Sequence, residues 1–201
     1  MRCVYCQNAP QSVTPELGEV WSDREVARWI DKKYKEGCKN VNFVSPDCYL
    51  WNILNVLKMV KTNMPVVWNS NAYYSEYTAE LLKDVVDIYL LDFRYFSEQC
   101  AKRLSSAPDY PDVAKRNFLI ANKDGEMIIR VLVMPNHTEC DAKPILKWIR
   151  DNIGTGALVN ILAQYHPCWK AREYKDINRT LSVDEYREVA RYAERIGLNL
   201  C

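Results

Sequence analysis

The sequence predicts an α/β protein in which a parallel sheet is covered by helices. Short apolar runs bounded by turn residues alternate with stretches of helical spacing, and five such runs each lead into a helix. Parallel strands need a crossover that returns the chain to the same end of the sheet, and a helix is the usual crossover, so this alternation sets the class.

Taken in chain order, "SDREVARWIDKKYKEG" begins with Ser22 as N-cap, sets Val26, Ala27, Trp29 and Ile30 on one face, and stops at Gly37, which predicts a helix. The β-rich run "NVNFVSP" occupies 40–46, and helical spacing returns over 49–63. A strand at 65–71, a helix at 76–85, a strand at 86–94 and helices at 97–106 and 111–122 follow. A strand at 127–135, a helix at 141–154, a strand at 157–167 and a closing helix at 182–197 complete the chain. The first helix has no strand before it, so the array reads as six βα units whose first strand is absent. Six such units close only part of a barrel, and the edge at 40–45 is left open to pairing with another chain.

The 201 residues suffice for a single domain, 1–201, and no linker, low-complexity tract or repeat marks a second. The 27 basic and 26 acidic side chains nearly cancel, which offers no electrostatic grip on nucleic acid or an anionic membrane. No run approaches the ~20 apolar residues of a membrane span, and the first residues lack a signal-peptide layout, so a cytoplasmic protein is expected. Eight cysteines scattered through a domain of this size read as reduced thiols. Cys38, Cys48, Cys100, Cys140, Cys168 and Cys201 share no ligand-like spacing and are expected to be incidental or buried.

Active sites of parallel βα folds gather at the carboxyl ends of the strands. Those ends carry Ser45, Pro46 and Asp47; Asn69, Ser70 and Asn71; Asp92 and Arg94; Pro135 and Asn136; and Gln164, Tyr165 and His166. Any one of them could cap a helix or satisfy a loop, and Asp92 with Arg94 could be a structural ion pair, but the ring as a whole points to a ligand site. His166, at a strand end, is a better candidate than His137, which sits in a loop.

The chain opens "MRCVYCQNAP", placing Cys3 and Cys6 in a C-x-x-C pair. A zinc knuckle would need a second pair at ribbon spacing, and a thioredoxin-like dithiol would follow a strand and open a helix. Neither context is present in the sequence. A non-catalytic remnant that keeps only the pocket is a further alternative.

With an aromatic between the two thiols and βα units behind them, the chain resembles the radical S-adenosylmethionine enzymes, and looks closest to the branch around pyruvate formate-lyase activating enzyme. The phrases "CVYCQN", "GCKNVNFVSP", "VVWNSNAY", "VDIYLLDFRY", "RVLVMPN" and "QYHP" carry the resemblance. It implies a partial (β/α)6 TIM-like barrel and, as cofactors, a [4Fe-4S] cluster and S-adenosyl-L-methionine. It also implies a radical chemistry in which S-adenosylmethionine is cleaved reductively to a 5'-deoxyadenosyl radical that abstracts hydrogen. A protein substrate carrying a target glycine and a reductant such as flavodoxin or ferredoxin are the partners it suggests, with no nucleic acid or membrane.

The family's cluster motif is C-x-x-x-C-x-x-C, whose soft thiolates converge on adjacent irons and leave one iron open. Cys3 and Cys6 match the second and third ligands, and Tyr5 the aromatic beside the adenine. The first ligand falls two positions ahead of Met1, so the expectation is an N-terminally incomplete domain that binds a cluster poorly as written. The family's G-G-E segment is replaced by "VSPD", so Ser45 or Asp47 inherits the contact with the methionine amine. Asp92 and Arg94 stand for a D-x-K pair, with arginine keeping the charge but not the compact contact of lysine. Asn69, Ser70 and Asn71 align with a segment that contacts the ribose and the methionine carboxylate, and His166 with a histidine near the cofactor.

Overall fold

The computed structural model describes residues 1–9 and 18–201. Five strands, β1 (Val41–Val44), β2 (Val66–Ser70), β3 (Ile88–Asp92), β4 (Glu126–Leu132) and β5 (Leu158–Leu162), form one sheet in the order β1-β2-β3-β4-β5. All four pairings are parallel, and each strand lies beside the next in sequence. That order is the wall of a barrel laid out unit by unit, so the expected α/β class and partial barrel are what the chain adopts.

The helices are α1 (Asp23–Lys35), α2 (Leu50–Met59), α3 (Glu76–Leu82), α4 (Glu98–Ser105), α5 (Tyr110–Asp124), α6 (Lys143–Asn152) and α7 (Val183–Arg195). α1 precedes β1, and both α4 and α5 lie between β3 and β4. None of the helices among the described residues is long and apolar enough to cross a membrane.

The two faces of the sheet differ, and residue parity along each strand shows it. On β3 and β4 the residues Tyr89, Leu91, Met127, Ile129 and Val131 are buried under the helix layer, joined there by Leu104, Phe118 and Leu146. Each large apolar side chain fully buried in this way contributes about 1.5–3 kcal/mol relative to exposure. The alternate residues Leu90, Asp92, Arg130 and Leu132 are only partly buried and face the other way. It is this second face that can hold a ligand.

Local chemistry fixes the ends of the elements. Ser22 accepts from the backbone N–H of Glu25, while the Glu25 carboxylate accepts from the Ser22 N–H at 2.7 Å, a reciprocal cap for α1. Ser182 and Glu185 repeat the device at α7. Gly125 separates α5 from β4 because a Cβ there would stand 3.0 Å from the Asp87 carbonyl and 3.2 Å from that of Val86.

Several expectations are corrected. α1 buries Ala27 and Ile30, but Trp29 is exposed, its ring beneath the Lys33 ammonium; it lies off the i, i+3 stripe that faces α2. The last strand ends at Leu162 rather than continuing to 167, and the 141–154 helix begins with a π turn over Thr138–Ala142 before α6 proper. The chain does not end with its last helix: Leu200 bridges to Val159, with the Val159 N–H donating to the Asn199 carbonyl at 2.8 Å, so the tail covers the outer edge of β5.

Candidate functional site

A cavity of about 240 Å³ opens at the carboxyl ends of the strands, between the sheet and the N-terminal loop. The loop is held by its backbone: the Arg2 N–H donates to the Ser105 carbonyl and the Val4 N–H to the Leu104 carbonyl, at 2.8 and 2.9 Å. A turn bond from the Cys6 N–H to the Cys3 carbonyl places both cysteines on the cavity wall. Ser105, at the last turn of α4, donates its hydroxyl proton to Cys3 Sγ at 3.1 Å.

That proton assignment orders a longer chain. A serine hydroxyl has one proton, so with Ser105 donating to sulfur, Tyr95 must donate to Ser105 across 2.7 Å, and Tyr5 to Tyr95 across 2.6 Å. Burial first, and the Cys3 sulfur second, hold the Tyr5 phenol well above its ordinary range, so it stays a neutral donor. Tyr5 also meets Tyr165 edge-on, with ring centroids 5.9 Å apart. The aromatic between the cysteines is thus a buried pillar of the loop whose ring still reaches the cavity.

The part of the wall built by the sheet is polar and cationic. Asp92 and Arg130 are direct partners across β3 and β4, and the Arg130 Nε donates to Asp92 Oδ1 at 2.6 Å. The second Arg130 nitrogen donates to Asn69 Oδ1 at 2.6 Å. Arg94 takes the other Asp92 oxygen at 2.7 Å and donates through Nε to Asn71 Oδ1 at 3.2 Å. Burial alone would lower the Arg94 guanidinium, but the Asp92 carboxylate acting together with Tyr5, Cys3 and Tyr110 more than offsets it and holds it charged. Two guanidinium groups against one carboxylate leave one positive charge in a partly dry wall, which favours an anionic group on the ligand.

The structure brings Cys3, Tyr5, Cys6, Ser45, Asn69, Ser70, Asn71, Asp92 and Arg94 to this one cavity. Asp47 stands behind it, accepting from the Ser70 hydroxyl at 2.8 and 2.9 Å, and burial raises its carboxyl above the usual range. His166 is exposed outside the wall, and its Nδ1 lies 3.3 Å from Gln7 Nε2, a residue that does line the cavity. Asp92 and Arg94 do pair, as the structural alternative held, and the pair is part of the wall.

Arg130 and Gln7 were not anticipated. Arg130 lies inside a strand rather than at its end, and the available signal was a lone charge within "MIIRVLVM". An unpaired arginine is costly in a buried strand, so its presence announces partners across the sheet.

Fold and site together define a parallel βα-barrel protein with a thiol-bearing loop over a cationic strand-end cavity. Residues 1–149 match the Radical SAM superfamily, and the chain belongs to that family. The family uses a [4Fe-4S] cluster and S-adenosylmethionine. The chain is 42% identical to an uncharacterized protein of Methanocaldococcus jannaschii over 99% of its own length, and spans 60% of that relative's length. Among solved structures it resembles a domain of pyruvate-formate lyase-activating enzyme from Bacteroides vulgatus, with TM-score 0.65 and 14% identity over 82% of this chain and 98% of that one. It also resembles Streptococcus suis SuiB bound to the precursor peptide SuiA, with TM-score 0.68 and 15% identity over 99% of this chain and 45% of that one. SuiB bound to S-adenosylmethionine matches with TM-score 0.64 and 14% identity, over 92% of this chain and 44% of that one.

The residues present fit part of what the family cofactors require. Two soft thiols on one turn suit two corners of an iron-sulfur cluster, and the positive wall suits a carboxylate.

Proposed function

We propose that this chain is the core of a radical S-adenosylmethionine oxidoreductase that abstracts hydrogen from a polypeptide, with a glycine on a partner protein as the target. The observation that carries the reading is that the Cys3–Cys6 turn and the Asp92–Arg94–Arg130 wall line one cavity. The phrase matches to the activating-enzyme branch, and the polypeptide partners named for the two solved relatives, support the substrate class.

Cys3 and Cys6 would hold two cluster irons, and the family motif places its third thiolate four residues before Cys3. Bound together, the cluster and S-adenosylmethionine would supply one-electron reduction and a hydrogen-abstracting radical. The protein's own part is positioning. Arg94 and Arg130 would receive the methionine carboxylate, Asn69, Ser70 and Asn71 would set the ribose side, and Ser45 would serve the methionine amine. Asp47 orients Ser70 from behind, Tyr5 braces the loop, and His166 steadies Gln7. A soluble reductant of the flavodoxin or ferredoxin type delivers the electron in the cytoplasm.

The test uses the chain preceded by a cysteine two positions ahead of Met1, reconstituted anaerobically with iron and sulfide. With S-adenosylmethionine and dithionite it should release 5'-deoxyadenosine, and Cys6→Ala should abolish the product. A reconstituted, iron-loaded protein that makes none would end this reading.

A further inference from the structure

A second group of ligand-forming side chains lies at the other end of α4. Cys100 sits in the first turn of that helix and Ser105, which touches Cys3, in the last, about 7.5 Å along the axis. Cys140 and Asp141 come from the π turn that follows β4, and His137 is the residue that caps its start. One ligand atom from each of Cys100, His137, Cys140 and Asp141 lies within 4.8 Å of the other three. None of the four lines the strand-end cavity.

The atoms that do not face this cluster are held from behind. Asp141 Oδ1 accepts from the Phe96 and Ser97 N–H groups at 2.7 and 2.8 Å, which leaves Oδ2 beside Cys140 Sγ at 3.6 Å. With the His137 Nδ1–H donating to the Pro135 carbonyl at 2.7 Å, the lone pair is on Nε2. Such outer bonds orient metal ligands and fix their tautomer. The π turn itself has a role: the Asp141 and Ala142 N–H groups both donate to the His137 carbonyl, and the widened turn sets His137 beside Cys140 and Asp141.

We propose that Cys100, His137, Cys140 and Asp141 form a second metal site, a closed tetrahedron of two thiolates, one imidazole and one carboxylate that binds zinc(II). This mixed soft and borderline set is one that all-oxygen cations such as magnesium and calcium do not choose. Zinc bond lengths give ligand-to-ligand edges of roughly 3.3–3.8 Å, and the two sulfurs are already 3.9 Å apart. His137 and Asp141 are each 3% exposed, while Cys140 is open to solvent and gives an entry route. Binding releases the two thiol protons to solvent and leaves the site with one net negative charge. Arg103, whose guanidinium lies 3.4 Å from His137 Nε2, balances that charge once the ion displaces it toward Asp176, with which it already pairs. The site ties the turn after β4 to α4, and it is independent of the radical reading.

The test is metal binding by the full chain carrying Cys3→Ala and Cys6→Ala, so that the loop thiols take no part. One equivalent of zinc should survive gel filtration. Cobalt(II) in its place should give thiolate-to-metal charge-transfer bands and a tetrahedral ligand-field spectrum. Adding Cys140→Ser or His137→Gln should weaken binding roughly 100-fold or more, with circular dichroism unchanged, while Cys168→Ser leaves it as it was. X-ray absorption of the zinc-loaded parent should count two sulfur and two nitrogen or oxygen neighbours, which checks the ligand set without relying on any substitution in it. Substoichiometric zinc, a different sulfur count, or equal binding after Cys140→Ser would overturn the proposal.

Discussion

Arg130 has more consequence than any other side chain on the cavity wall. Its guanidinium joins Asp92 on β3 to Asn69 on β2, and the pairing is only a quarter exposed, so it is screened less than a surface pair. Arg130→Met keeps the stem and removes the charge. It should lower S-adenosylmethionine affinity roughly 10-fold by calorimetry and destabilise the fold by about 1–2 kcal/mol. Arg130→Lys should restore part of the affinity, because a point charge can meet Asp92 but cannot also reach Asn69 in the same plane. Unaltered affinity in Arg130→Met would remove the arginine from the ligand's surroundings. At this scale the sequence disclosed the polar residues at strand ends and hid the one within a strand. Likewise Cys100 and Cys140, forty residues apart and without motif spacing, come together only because α4 and the π turn pack side by side.

Elements were legible where capping chemistry is local, as at Ser22 and Ser182, and less so where a tertiary partner decides. α2 was expected to run to 63 but stops at Met59, since Val60 turns extended and the Asp31 carboxylate receives the Lys61 and Thr62 N–H groups at 2.9 and 3.0 Å. Nothing near 60 in sequence announces that acceptor. α7 offers a test through Glu185, which accepts from Arg179, Ser182 and the Asn136 N–H. Arg179 foremost, then the Asn136 and Ser182 donors, hold its carboxyl well below the ordinary range against the opposing effect of burial. A carboxylate whose folded pKa is depressed stabilises fully above its unfolded value and loses that contribution as pH falls toward the folded one. Glu185→Gln should therefore cost about 1–2 kcal/mol near neutrality, and the gap to the parent should narrow below about pH 4 in urea titrations. A gap as wide at about pH 3 as at neutrality would mean that the charge is not what matters.

Across the whole molecule, the sheet is protected unevenly. β3 and β4 have strands on both sides, β5 has the tail at Leu200, and β1 pairs, among the described residues, with β2 alone. Val44 at that edge is 64% exposed. Amide hydrogen exchange should be slowest in β3 and β4 and fastest in β1, because an edge opens without breaking the core. Equal protection of β1 and β3 would mean that another strand covers the edge in solution. The fold class was readable because each apolar run leads directly into a helix. The bridge at 199–201 was not, since three residues after a helix carry too little pattern to be distinguished from a frayed end.

Under the proposed function, the serine that donates to Cys3 would also bear on electron flow. A proton held against a ligand sulfur withdraws electron density from it, so a metal centre on that sulfur accepts an electron at a less negative potential. The phenols behind Ser105 add to this, since each donor in the row polarises the next. How hard the reductant must push would thus be set partly by a tyrosine buried two hydrogen bonds away from the oxygen that touches sulfur.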